Sequence, residues 1–524
     1  MKLSQVFRSV LGRGAVVGVV TLGVVAVTTP AADAAGTKSL PLPPEARSGA
    51  ASWAYPDHDP SNSRLATGSP ISAANLDRLR TAWTVDASGG LPTSPIVVGH
   101  SVFVEDQVGE VFDIDLTTGH VAWKSPSNGY SVGPEGVAVG WGKVFGVTPT
   151  SLFALDEKTG TLVWSTRLTR SATDGIDVQP QVVGHEVIAS TVPVSIKGIY
   201  IGGDRGFVDA VDENTGTLLW GFDTVASPTL WGNPTVNSGG GSWYPPSFSP
   251  QSGLLYVGIA NPAPFVGTAQ YPNGSSRPGP NLYTDSTVAL QIGSGKLVWY
   301  HQATPHDLFD RDFVHTMIVR VPAAGSRPAR TVVVGTGKSG VVIGMDPKTG
   351  AQLWRTPVGI HKNDSLTQLS GPTEILPGTF GGVLTPPASA RGTVFVATLN
   401  APDTLYPNQT EYFGGKTGTM RGEVVALDAR TGRTLWDRRI PGDPTGGVTL
   451  VNNVVLTATL QGAVLGLSMT TGKILWKMQA PGGIDGWMSV SGRTVVVPVG
   501  YAKPPTIWAL RLPSARTGAT ASKR

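Results

Sequence analysis

Between Thr304 and Asp312 the chain reads Thr-Pro-His-Asp-Leu-Phe-Asp-Arg-Asp, so His306, Asp307, Asp310 and Asp312 fall within seven residues of a sequence whose charged fraction is only 15%. A carboxylate in such a run can act as a general base toward a hydroxyl if the fold holds it out of bulk water, since a free aspartate is a weak base. The alternative is a solvated acidic run that caps a loop. Three further positions stand out by type. Asn261 follows the strand-like Gly253–Ala260 in an Asn-Pro-Ala-Pro-Phe turn, and Asn is a common turn former. Lys338 is a lone cation in Thr-Gly-Lys-Ser-Gly. Trp243, in Gly-Gly-Ser-Trp, is a loop indole that either covers an apolar face or stacks on a planar ligand.

The elements that must position these residues are set by a repeat. Trp83, Trp123, Trp164, Trp220, Trp299, Trp354, Trp436 and Trp476 each close a stretch of the form hydrophobic-x-hydrophobic-Asp-x-x-Thr-Gly-x-x-x-Trp, with modest variations and a degenerate first copy at Trp83. Phe153 to Trp164, Asp209 to Trp220 and Val425 to Trp436 are clear copies. Each copy reads as a strand, a turn whose aspartate accepts turn amides and whose glycine takes positive φ, and a return strand. A second hairpin lies upstream, as in Pro95–Val104, which makes four strands per repeat. The intervals of 40, 41, 56, 79, 55, 82 and 40 residues have the minimum that a four-stranded blade needs. An all-β, eight-bladed β-propeller of four-stranded antiparallel blades is therefore expected, with the tryptophans docking blade on blade. Insertions at 168–202, 221–285, 355–392 and 400–422 are rich in Gly, Pro, Asn, Ser and Tyr, the composition of loops around a ligand funnel.

Bulk composition narrows the function classes. A net charge of only +4 with no long basic run argues against a nucleic-acid partner. Cysteine is absent, which excludes a disulfide scaffold, a Cys-x-x-Cys-His haem attachment and a cysteine-ligated cluster. Residues 1–35 follow the pattern of a secretory signal peptide: Lys2, Arg8 and Arg13, then an apolar run from Ala15 to Thr28, then Ala-Asp-Ala at 32–34. An uncleaved anchor is the alternative, although the run is short for a span. Residues 36–513 are expected to form the propeller, and 514–524 to be a low-complexity tail.

From Ser52 to Trp83 the sequence SWAYPDHDPSNSRLATGSPISAANLDRLRTAW resembles the opening of the pyrroloquinoline-quinone-dependent alcohol dehydrogenases and related quinoproteins, including polyvinyl alcohol dehydrogenases. The resemblance extends over nearly the whole mature chain. It implies that Asn261 is a calcium ligand, that Asp310 is the catalytic base beside the metal, and that Lys338 contacts the quinone oxygens and assists catalysis. It further implies that Trp243 lies beneath the flat cofactor, 18 residues ahead of Asn261, and that Asn400 joins the cofactor-binding set. The expected activity is oxidation of an alcohol or polyol to an aldehyde or ketone by a secreted enzyme, extracellular or associated with the cell wall. Pyrroloquinoline quinone and Ca2+ would be the cofactors. With no haem motif, electrons would pass to a separate acceptor, and no stable membrane insertion is expected once the signal is cleaved.

The chain departs from the family pattern at several places. Phe309 replaces the usual tryptophan, Ile201 occupies the position of a calcium-ligating glutamate four residues before Arg205-Gly206, and Gly90–Ser94 lacks a first-blade glutamate. The adjacent-cysteine disulfide is absent, and Asp204 or Glu186 is the available substitute oxygen for Ile201. The alternative reading is a non-enzymatic extracellular propeller, descended from a quinoprotein, that binds protein or carbohydrate.

Overall fold

The computed structural model describes residues 39–47, 52–131, 133–195, 198–199, 202–409 and 421–514. The signal segment, Ile201 and all but the first residue of the expected tail lie outside the described residues. Eight blades follow one another around the ring, seven of them four-stranded antiparallel sheets and the seventh extended by Leu65–Ala66, which pairs parallel to Thr449–Val451. The first comprises Ile96–Val98, Ser101–Glu105, Val111–Asp115 and Val121–Lys124. The sixth is built the same way from Ala388–Ala390, Thr393–Leu399, Gly422–Asp428 and Thr434–Ile440. Inner strands are buried on both faces, as in Ala138–Gly140, because neighbouring blades cover each side. Outer strands such as Leu162–Arg167 alternate between exposed and half-buried positions.

The repeat explains how the blades adhere. In the turns, Asp115 Oδ1 accepts from Thr117 N, Thr118 N and Thr118 Oγ1 at 3.0, 2.7 and 2.7 Å, and Asp156 and Asp428 do the same for their own turns. The glycine then passes beneath the indole of the preceding blade: a Cβ on Gly160 (φ 68°) would overlap the Trp123 ring, and one on Gly432 (φ 74°) the Trp354 ring. Positive φ and the absence of a side chain are both needed there. Most of these indoles also donate across the interface, Trp123 to Glu157 O, Trp164 to Glu213 O and Trp354 to Ala429 O at 3.0–3.2 Å.

Closure of the ring differs from a simple run of copies. The outer strand Arg80–Asp86, which carries Trp83, pairs with Thr506–Arg511 and so completes the eighth blade with Ser489–Ser491 and Thr494–Val499. The N-terminal and C-terminal strands thus share one sheet and leave no free seam. For the same reason Trp476 has no Thr-Gly turn to cover, and it packs instead at the edge of the core that contains Trp83 and Trp508.

Candidate functional site

The long insertion before the fourth blade carries Trp243 into the axial funnel. Gly239, Gly240 and Gly241 all have positive φ, and the loop is pinned by Gly241 N to Thr224 Oγ1 (2.8 Å), Ser242 N to Ser190 Oγ (2.9 Å) and the Tyr244 hydroxyl to Leu384 O (2.7 Å). Asn261, beyond the strand Leu254–Gly258, donates its backbone N–H to Asp312 Oδ1 at 2.9 Å, and its side-chain Nδ2 donates to Pro262 O at 3.1 Å. Lys338 sits in the turn between Arg330–Thr336 and Val341–Met345, and its backbone N–H reaches Asp312 O at 3.2 Å. A Cβ at Gly337 would overlap that carbonyl, so the close approach requires glycine.

These loops converge. The Lys338 ammonium lies 2.8 Å from Asp310 Oδ2, 2.6 Å from Asp312 Oδ2 and 4.5 Å from the centroid of the Trp243 ring. All three charged groups are buried, and Asp310 and Asp312 hold left-handed φ angles of 59° and 33°, a conformation costing about 1–3 kcal/mol per residue. Burial pushes the Asp310 carboxyl well above the usual range; Lys338 opposes the rise and Asp312 adds to it, because two carboxylates share one ammonium. Burial alone would lower Lys338, but the charges of Asp310 and Asp312 hold it above its ordinary value.

The rest of the acidic run divides by role. Asp307 accepts from Phe309 N and Arg311 N, both at 2.7 Å, and therefore caps the loop, while His306 faces Gly279 O at the periphery. Asn400 follows the cavity-lining Leu399, and its Oδ1 accepts from Ile360 N at 2.8 Å. Neither substitute for the Ile201 position joins the group. Asp204 is held by Thr173 Oγ1 (2.9 Å) and Ser171, and Glu186 meets the Trp220 indole at the rim (3.3 Å).

Three acids that had no assigned role in the sequence belong to this centre. Asp312 is in the ion pair itself. Asp285 is wholly buried with both carboxylate oxygens unpartnered, and its carboxyl is pushed well above the ordinary range, first by burial and then by Asp307 and Asp312. Asp177 is pushed up to about 8 by burial and by Asp312. No motif surrounds Asp177 or Asp285, so only the fold reveals them.

A cavity of about 750 Å³ opens beside Trp243, lined also by Tyr244, Phe380, Asp485 and Trp487, which is ample for a tricyclic ring and a small substrate. The lining fits a planar quinone in kind: an indole face, the Lys338 cation beside it, and a buried Trp487 Nε1–H with no acceptor. The acids fit a hard cation in kind as well, since Asp310 Oδ1 and both Asp285 oxygens are buried without partners. Among the described residues no three His, Asp or Glu side chains converge closely enough to hold a metal by themselves, so such a cation would need amide, cofactor or water oxygens too.

A family model described as glucose/ethanol/alcohol dehydrogenase, beta-propeller domain, matches residues 170–358, the segment that contains Trp243, Asn261, Asp310 and Lys338. A second, for outer membrane protein assembly factor BamB, matches 420–519. The chain is 31% identical over 315 residues to quinohemoprotein alcohol dehydrogenase ADH-IIG of Pseudomonas putida, covering 54% of this chain and 42% of that protein. It is 28% identical to the dehydrogenase subunit of alcohol dehydrogenase (quinone) from Gluconacetobacter polyoxogenes, over 67% of this chain and 54% of the relative. The match thus spans only about half the length of these relatives. Among solved structures, quinohemoprotein alcohol dehydrogenase from Comamonas testosteroni superposes with a TM-score of 0.76 at 22% identity, covering 91% of this chain and 83% of that one. A europium-containing methanol dehydrogenase gives 0.74 at 20% identity, covering 88% and 98%, and both show the shared fold. In sequence and in its eight-bladed fold, the chain matches the pyrroloquinoline-quinone-dependent alcohol dehydrogenase family.

Proposed function

We propose that this protein is a secreted quinone-dependent dehydrogenase that oxidises an alcohol or polyol to an aldehyde or ketone and passes the electrons to a separate acceptor. The observation that carries the reading is the placement of the Lys338 ammonium against both the Trp243 face and Asp310, because it joins a ring-stacking surface, a cation and a base at one point. No helix among the described residues is long and apolar enough to cross a membrane.

When bound, pyrroloquinoline quinone would supply the two-electron acceptor, and Trp243 and Lys338 would hold it. Asp310 accepts the proton of the alcohol hydroxyl as the substrate is oxidised. Its raised affinity for protons makes it a stronger base than a free aspartate, and activity should accordingly rise with pH as Asp310 ionises. Lys338 keeps Asp310 and Asp312 in register and places positive charge where negative charge develops. A calcium ion would be held by Asn261 and Asp310, with Asp285 and Asp177 adding negative charge nearby. Aromatic walls at Tyr244, Phe380 and Trp487 keep water from the reacting groups.

The test is titration of the full chain with pyrroloquinoline quinone and calcium, followed by dye reduction across an alcohol panel. Saturable binding with turnover supports the reading, and retained binding with turnover lost in Asp310→Asn assigns the base. Absence of binding under calcium-replete conditions would leave the non-enzymatic propeller, a reading that the assembly-factor match at 420–519 favours.

A further inference from the structure

The cavity also has an acidic wall, which meets the Lys338 centre at Asp177. Asp485 lines it, with Oδ1 buried and unpartnered. Next in the chain to the lining residues Gly133 and Pro134 is Glu135, 1% exposed, with neither carboxylate oxygen bonded. Glu105 and Asp177 complete this group, each fully or nearly buried with one oxygen unpartnered. Glu135 feels the repulsion of Glu105, Asp485, Asp106 and Asp177 together, and burial plus that repulsion push its carboxyl well above the ordinary range. Asp106 accepts the amides of Gly89 and Glu110 at 2.8 and 3.0 Å, and the Gly500 and Val147 amides likewise reach Asp485 and Glu105, so that Glu135 is the member of the group with neither oxygen bonded.

No lysine, arginine or histidine lines the cavity, and of this group only Asp177 feels the Lys338 charge. What does accompany it is aromatic. Tyr130 and Tyr501 line the cavity at its exposed side, 50% and 62% accessible, and Asp485 and Tyr130 are the charges that bear on the Tyr501 hydroxyl. Trp487 lies deeper on the same lining. Aromatic rings and a carboxylate on one cavity lining, with no cation among the lining residues, are the chemistry that recognises an alkylated ammonium: the rings offer their negative faces and the acid supplies the counter-charge.

We infer that the alcohol taken by this cavity carries an ammonium group, received by Tyr130, Tyr501 and Trp487 with Asp485 and, behind it, Glu135 as counter-ions. The assignment rests on the reading of the cavity as a dehydrogenase's substrate chamber. Asp485 is then a specificity-determining residue, and neutral alcohols of the same shape bind less well.

The experiment compares choline with its uncharged isostere, in which a tert-butyl group replaces the trimethylammonium. Binding to the full-length protein is followed by calorimetry at pH 8, and turnover is then measured with pyrroloquinoline quinone and calcium added. Choline should bind at least about tenfold tighter than the isostere, and Asp485→Asn should bring the ratio close to one. Glu135→Gln should lower it in part, and it serves as the test if Asp485→Asn does not fold. Equal affinity for the two probes, or a preference that survives Asp485→Asn and Glu135→Gln, overturns the inference. The two readings fail differently. A choline preference in binding without turnover of any alcohol sinks the dehydrogenase and keeps the ammonium site; turnover of neutral alcohols without that preference does the reverse.

Discussion

Aspartates at the rim and aspartates at the axis of this propeller are put to opposite uses. At the rim, Asp115 and Asp156 each accept three hydrogen bonds from a Thr-Gly turn, and the threonine hydroxyl and turn amides hold their carboxyls below the ordinary range. At the axis, Asp285, Asp310 and Glu135 are buried with unpartnered oxygens and raised proton affinity. A satisfied exposed acid stabilises the chain that made it, whereas an unsatisfied buried one costs stability. The contrast teaches that the rim is built for folding and the axis for a ligand, and that net charge or residue counts could not have separated them.

The comparison can be broken most severely at the base. Asp310→Asn should cut dye reduction by about a thousand-fold, or about 4 kcal/mol of barrier, while quinone binding is retained; steady-state assays on the cofactor-loaded variant measure this. Next come the two kinds of tryptophan. Trp354→Ala, removing a buried indole clamped between blades, should destabilise the fold by about 3–5 kcal/mol in denaturant melts. Trp243→Ala should lose less stability and far more quinone affinity, because its indole is only partly buried among the funnel residues.

The sign of the pH dependence sharpens the contrast further. Acids at the axis have folded-state pKa values above their unfolded ones, so the folded chain binds the extra protons. Their contribution is full at acid pH and is lost as pH rises from about 4 toward about 8, the value to which Asp177 is pushed. Rim acids have depressed values, and their contribution is present above about pH 4 and lost below it. The melting temperature should therefore fall between pH 5 and 8, and fall less in Asp177→Asn, as scanning calorimetry across that range would show. The smallest effect belongs to a single rim turn: Asp428→Ala should cost about 1 kcal/mol, the loss expected when a side-chain cap is removed, with no change in quinone affinity.

Much of the rim was legible in the sequence because it repeats. The tryptophan spacing and the Asp-x-x-Thr-Gly turn announced the blades and their number, and each turn aspartate does what its position implies. Closure was not legible. Trp83 reads as the end of a first copy, yet its strand completes the eighth blade, whose partners Ser489–Ser491, Thr494–Val499 and Thr506–Arg511 carry no Thr-Gly turn to reveal the pairing. At the axis, the family resemblance brought forward Trp243, Asn261, Asp310 and Lys338, and the fold draws Trp243, Asp310 and Lys338 into contact with Asn261 one hydrogen bond away through Asp312. Asn400 shares the resemblance, and its Oδ1 accepts the Ile360 amide. Asp285, Asp177 and Glu135 stayed hidden because burial is set by neighbouring blades, and a single acid in a polar loop carries no local sign of it.

The central claim, that Trp243, Lys338 and Asp310 form a quinone site, is tested most directly by fluorescence titration of the full chain with pyrroloquinoline quinone in the presence of calcium. Saturable one-to-one quenching is expected, weakened in Lys338→Met and abolished in Trp243→Ala. Failure of the wild-type chain to saturate, or binding undiminished in Trp243→Ala, would contradict it.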